Sequence, residues 1–109
     1  MKIEKKENYT LITSDEDFFE NFHTNFKNNL QLENKNIIIQ LSEKLNITEK
    51  NILLFLTIAK AHKKNGTSFA IVYTDVIIDN FPEDFNIAPT LKEAEDILEM
   101  EAIERDLGF

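Results

Sequence analysis

Two short β-like stretches, separated by charged residues and Asn8, open the chain within Lys2-Ile3-Glu4-Lys5-Lys6-Glu7-Asn8-Tyr9-Thr10-Leu11-Ile12-Thr13. They predict a hairpin of two edge-type strands. Ser14 then precedes Asp15-Glu16-Asp17, an N-cap followed by acids that suit the positive end of a helix dipole, with Asp17 at the third position of a capping box. A helix is predicted from this point. Its apolar residues Phe18, Phe19, Phe22, Phe26 and Leu30 recur at helical spacing, so that one face must lie on a sheet or another helix.

Residues 36–41 carry the run Ile37-Ile38-Ile39, and an unbroken β-branched run this short reads as a central strand covered on both faces. Thr48 caps a second predicted helix in which Ile52, Leu53, Phe55, Leu56, Ile58 and Ala59 are expected to be largely buried. Lys60, Lys63 and Lys64 load its end with positive charge, and Gly66 after Asn65 stops it in a left-handed conformation. Thr67 to Tyr73 is a second apolar strand, so residues 36–73 form a βαβ unit with parallel strands. Val76-Ile77-Ile78 and the following Asp79-Asn80-Phe81-Pro82 read as a short helix or an irregular cover segment. Asn86-Ile87-Ala88 is a short edge strand, and Thr90 with Glu93 forms a second capping box opening a last helix that runs to about Asp106.

The length of 109 residues, 42% apolar and 29% charged, fits one domain over residues 1–109 with a single core. The absence of cysteine removes thiolate nucleophiles, disulfides and Cys-based metal sites and leaves a reducing cytoplasm as the expected compartment. Lys2, Lys5 and Lys6 lead into polar residues rather than an apolar stretch, so no secretory signal is read. Ile52 to Ala61 is about half the ~20 residues a membrane span requires. Net charge is −8, and it is uneven: residues 1–74 hold 9 acids and 10 bases, residues 75–109 hold 11 acids and 2 bases. An acidic surface argues against nucleic acid or anionic lipid as a partner.

The element order, with three local motifs, resembles the STAS domain, the fold of anti-sigma-factor antagonists. Ile37-Ile38-Ile39-Gln40-Leu41-Ser42 is similar to the family's strand ending in Asp-Leu-Ser, and Asn65-Gly66-Thr67-Ser68-Phe69-Ala70-Ile71-Val72 to its Gly-bounded next strand. Pro89-Thr90-Leu91-Lys92-Glu93-Ala94 is similar to its closing Thr-Leu-Glu-Glu-Ala helix start. The resemblance implies an α/β fold, a mixed sheet of four or five strands with helices mainly on one face, no catalytic activity and no cofactor. It also implies a protein partner such as an anti-sigma factor or a histidine-kinase-like ATPase switch protein, met by a monomer or weak dimer in the cytoplasm. Regulated members carry Asp-Ser-Ser-Gly at the start of the second helix, where a kinase phosphorylates the first Ser. Here Thr48 stands for the Asp, Glu49 for the phosphorylated Ser and Asn51 for the Gly; a slip of one residue would put Thr48 at the phosphosite. The implied partner-binding residues are therefore Asn46, Thr48, Glu49, Lys50 and Asn51.

A phosphate at a helix N-terminus adds about −1.5 to −2 charge, and Glu49 supplies a permanent single charge in much the same place. One reading is a domain locked in a phosphorylated-like state, or a partner that expects an anion; the other is a good cap followed by a dipole-matched acid. His23 and His62 are the only imidazoles, too few for hydrolytic metal chemistry. His62 is expected beside Lys63 at the charged end of its helix, and His23 next to the Phe face. Ser14, Ser42 and Ser68 lack an activating neighbour, and two glycines cannot build a nucleotide loop. The acids of the last helix read as a solvated face. Leu91, Ala94, Ile97, Leu98, Glu101 and Ala102 would face the sheet, leaving Met100, Ile103, Leu107 and Phe109 either as an exposed patch or as the end of the core. Competing functions are a lipid or nucleotide carrier, which needs a deep pocket, and a structural subunit of a self-assembling complex, which an exposed Phe81 and Phe109 would serve.

Overall fold

The computed structural model describes residues 1–29, 34–74 and 80–108. Leu30, the segment Val76 to Asp79 and Phe109, each given a part above, lie outside the described residues.

The elements run β1 (Lys2–Lys5), β2 (Thr10–Thr13), α1 (Phe19–Lys27), β3 (Ile37–Gln40), a 3-10 turn (Glu43–Leu45), α2 (Glu49–Leu53), α3 (Leu56–Lys64), β4 (Phe69–Val72), β5 (Ile87–Ala88) and α4 (Leu91–Asp106). The five strands form one mixed sheet in chain order, with β1 antiparallel to β2 and every other pair parallel. The triple-isoleucine strand β3 lies in the middle, and its three isoleucines are fully buried.

Strand alternation sorts the core into two layers. Register aligns Ile12, Ile39, Ile71 and Ile87 in one row, and that face carries α1, α2 and α3 through Phe19, Phe22, Phe26, Ile52 and Phe55. Phe55 is the hub: its ring meets Phe19 edge-on at 5.8 Å and Phe26 at 5.7 Å. The opposite face aligns Leu11, Ile38 and Ala70, where α4 packs through Ala94 and Leu98. Small residues at Ala70, Ala88 and Ala94 let the α4 backbone approach the sheet closely. Among the described residues helices thus cover both faces, three on one and one on the other.

Several expectations need correction. Ser14 does not cap α1, whose N-cap is Phe18 with no side-chain bond. The Ser14 hydroxyl instead accepts from the Ser42 backbone N–H at 2.8 Å, because at the carboxyl end of β2 it faces the end of β3, where a buried N–H needs a partner. Phe18 consequently sits before the helix and is exposed.

The single helix expected after Thr48 is two. Leu54 and Phe55 donate back to Asn51 and Ile52, three residues earlier, and this tightened turn separates α2 from α3. Residues three apart eclipse in such a turn, so Ile52 and Phe55 both reach the core while Leu53 and Leu54 turn to solvent at 39% and 52% exposure. Leu53 was expected inside.

Phe81 is buried with its ring edge-on to Phe85 rather than exposed. Ala102, expected on the sheet, is exposed. Gly66 has φ +79° and ends α3, and Thr90 accepts from the Glu93 N–H at 3.2 Å to open α4, the first half of the expected capping box and not the second.

Candidate functional site

The stretch between β3 and α2 is built from short-range bonds. Ser42 caps the 3-10 turn by accepting from the Lys44 N–H at 3.2 Å. Asn46 ends that turn in the left-handed conformation at φ 47°, which asparagine tolerates better than branched residues. Ile47 tucks partly into the core. Thr48 then forms a reciprocal box with Asn51: its hydroxyl accepts from the Asn51 N–H at 3.2 Å, and the Asn51 side-chain oxygen accepts from the Thr48 N–H at 3.0 Å.

This box aims the next two side chains outward. Glu49 is exposed and accepts from Asn80 Nδ2 at 2.5 Å, a link to the segment before β5. Lys50 is exposed. Leu53 and Leu54 follow Glu49 and Lys50 by four residues, one turn further along the same side of the chain. Asn46, Thr48, Glu49, Lys50 and Asn51 are therefore adjacent, with an acid, a base and two exposed leucines on one short surface.

The histidines are occupied by other contacts. His23 stacks on Phe19 at 5.6 Å and meets Phe55 edge-on at 5.4 Å; burial, then the nearby Lys27 charge, lowers its pKa below the usual value. His62 is not at a solvated helix end but buried, its Nδ1 paired with the Thr67 hydroxyl at 2.9 Å and its ring 5.4 Å from Phe69. Among the described residues no group of three His, Asp or Glu side chains is arranged to hold a metal ion, and no helix is long and apolar enough to cross a membrane.

Pattern reading missed a set of polar side chains at the opposite end of the sheet, Tyr9, Asn36 and Ser68 level in register and Asn86 two residues further along. The residue before each parallel strand is Tyr9, Asn36, Ser68 or Asn86, and each side chain is bonded. Tyr9 donates to Glu95 at 2.7 Å, Asn86 to Glu101 at 2.8 Å, and Arg105 donates to Ser68 at 3.0 Å. Asn36 Oδ1 accepts from the Ser68 N–H at 2.9 Å. Burial, then the hydrogen bond and charge of Glu95, pushes the Tyr9 phenol up to about 12. The available signal was the recurrence of a polar residue immediately before an apolar strand.

Two concavities flank this set. One, of about 280 Å³, has Lys63, Thr67, Asn86, Glu101 and Arg105 in its wall. The other, of about 700 Å³, runs between the β1–β2 turn and α4. Neither includes residues 46–51.

Compared with known proteins, the chain matches no protein-family model and no curated protein.

Proposed function

We propose that this chain is a STAS-like, non-enzymatic protein–protein interaction module of the cytoplasm, docking through Asn46, Thr48, Glu49, Lys50 and Asn51. One observation carries the reading: the Thr48–Asn51 box presents Glu49 to solvent at the front of α2, with exposed Leu53 one turn behind it. A charged group beside a small apolar patch is the make-up of a recognition surface, where the apolar contact supplies affinity and the charge selects the partner. The strand order supports the STAS-like reading, since β2 to β5 run parallel in chain order and the β2–β3 and β3–β4 connections cross one face. The partner class that follows from the resemblance is an anti-sigma factor or a switch-kinase-like ATPase, with Glu49 a fixed anion where relatives carry a switchable hydroxyl.

Affinity capture from native lysate with the wild type, Glu49→Ala and Glu49→Lys tests this. A partner retained by the wild type and lost with Glu49→Lys is the expected result. Identical recovery across all three removes Glu49 from the recognition surface.

A further inference from the structure

Three large apolar side chains on α4 and its C-cap have no cover among the described residues: Met100, Ile103 and Leu107 are 62%, 54% and 66% exposed. Their spacing of three and four residues places them in one line along the helix, the seam by which helices pair. The opposite side of α4 is already spent on the sheet through Ala94 and Leu98. Ile103 also forms part of the wall of the 700 Å³ groove, whose lining includes Tyr9 and Leu98 beside Glu95, Glu99 and Asp106.

Charge identifies what fits there. By helical spacing Glu99 and Asp106 border one side of the seam and Glu104 the other. The bases nearby do not balance them: Lys92 donates to Asp96 at 2.7 Å and also acts on Glu99, Arg105 donates to Ser68 at 3.0 Å, and the groove wall holds Lys6 and Lys92 against the five acids Glu7, Glu95, Asp96, Glu99 and Asp106. A second copy of α4 laid on this seam would set acid against acid, and an anionic membrane or nucleic acid would be repelled in the same way. A helix with apolar residues at matching spacing and Lys or Arg at its flanks satisfies both the seam and the charges.

We propose that α4 is a second docking surface, in which the Met100–Ile103–Leu107 seam and the adjoining groove receive a basic amphipathic helix of another protein. It lies on the sheet face opposite α2, so it is separate from the surface around Glu49 and does not depend on that assignment.

The probe is a labelled synthetic peptide of about 18 residues, five helical turns, with Leu at three-and-four spacing and Lys elsewhere; its comparator has the same composition with Leu spread around the helix. The patterned peptide is expected to bind the wild type about tenfold more tightly than the comparator in fluorescence anisotropy. Amide shifts should concentrate in residues 91–107 and in the β1–β2 turn. Ile103→Glu and the pair Glu99→Lys with Asp106→Lys are each expected to weaken binding about tenfold, while Glu49→Lys leaves it unchanged. The charge variants alter exposed positions and keep the test valid if Ile103→Glu unfolds, which circular dichroism would reveal. Equal binding of the two peptides, shifts spread over the acidic surface, or self-association by light scattering that Ile103→Glu abolishes would each overturn the proposal.

Discussion

Arg105, in the last turn of α4, donates from Nη1 to the hydroxyl of Ser68, the residue immediately before β4. Ser68 is 1% exposed and its N–H is held by Asn36, so the bond anchors α4 to the end of the sheet from inside the protein. Arg105→Ala leaves a buried hydroxyl without this donor and is expected to cost about 1–3 kcal/mol in urea unfolding. A change below about 0.5 kcal/mol, the level of an ordinary surface substitution, would mean that the anchor contributes nothing.

Tyr9 and Glu95 make a comparable bond at the other end of α4. The phenol is raised to about 12 in the folded chain against an ordinary value of 10, so the folded state holds the proton more tightly than the unfolded one. Its contribution to stability is full below pH 10 and is lost as pH rises through about 12. The chain has two tyrosines, and Tyr73→Phe leaves Tyr9 as the one phenol to titrate by ultraviolet absorbance. A midpoint near the ordinary value would show that the bond opens in solution.

Stability and recognition should separate at the front of α2. Thr48→Ala removes the acceptor of the Asn51 N–H and is expected to cost about 1 kcal/mol by thermal or chemical unfolding. Glu49→Lys opposes the helix dipole at an exposed position, a cost of about 0.3–1 kcal/mol, yet it reverses the charge offered to a partner. Loss of capture with the fold intact is the expected pattern.

Phe55 and Leu54 are neighbours in sequence with opposite surroundings. Phe55→Ala empties the hub of the aromatic cluster and is expected to cost about 3–5 kcal/mol. Leu54→Ser acts on a half-exposed side chain and should stay within about 0.5 kcal/mol. Similar costs for the two would contradict the tightened turn between α2 and α3.

Much of the architecture was legible in the pattern. Ile37-Ile38-Ile39 marked the central strand, and Thr48, Gly66 and Thr90 marked helix ends that the structure keeps. Ser14 misled because a hydroxyl before a run of acids reads as a cap, and nothing nearby in sequence reveals that Ser42 will lie 2.8 Å away. The apolar run 52–59 misled in a related way. Helical periodicity allows one long helix, but the shared demand of Ile52 and Phe55 for the core breaks it and exposes the two leucines between them. For the candidate site, the positions Asn46 to Asn51 could be read as a cap and a charge; that Leu53 and Leu54 border them could not.

Local chemistry by itself determined the order and type of most elements and that they build an α/β layer fold, because periodicity, β-branching and capping act within a few residues; the start of α1 and the break between α2 and α3 were not among them. Only the tertiary structure decided that α4 takes the face opposite the other three described helices, that Tyr9, Asn36 and Ser68 come level at the start of the parallel strands with Asn86 two residues further along, and that Met100, Ile103 and Leu107 stay uncovered among the described residues. Those outcomes depend on which distant segments meet, and a polar or apolar residue carries no record of its partner until the sheet register brings the two together.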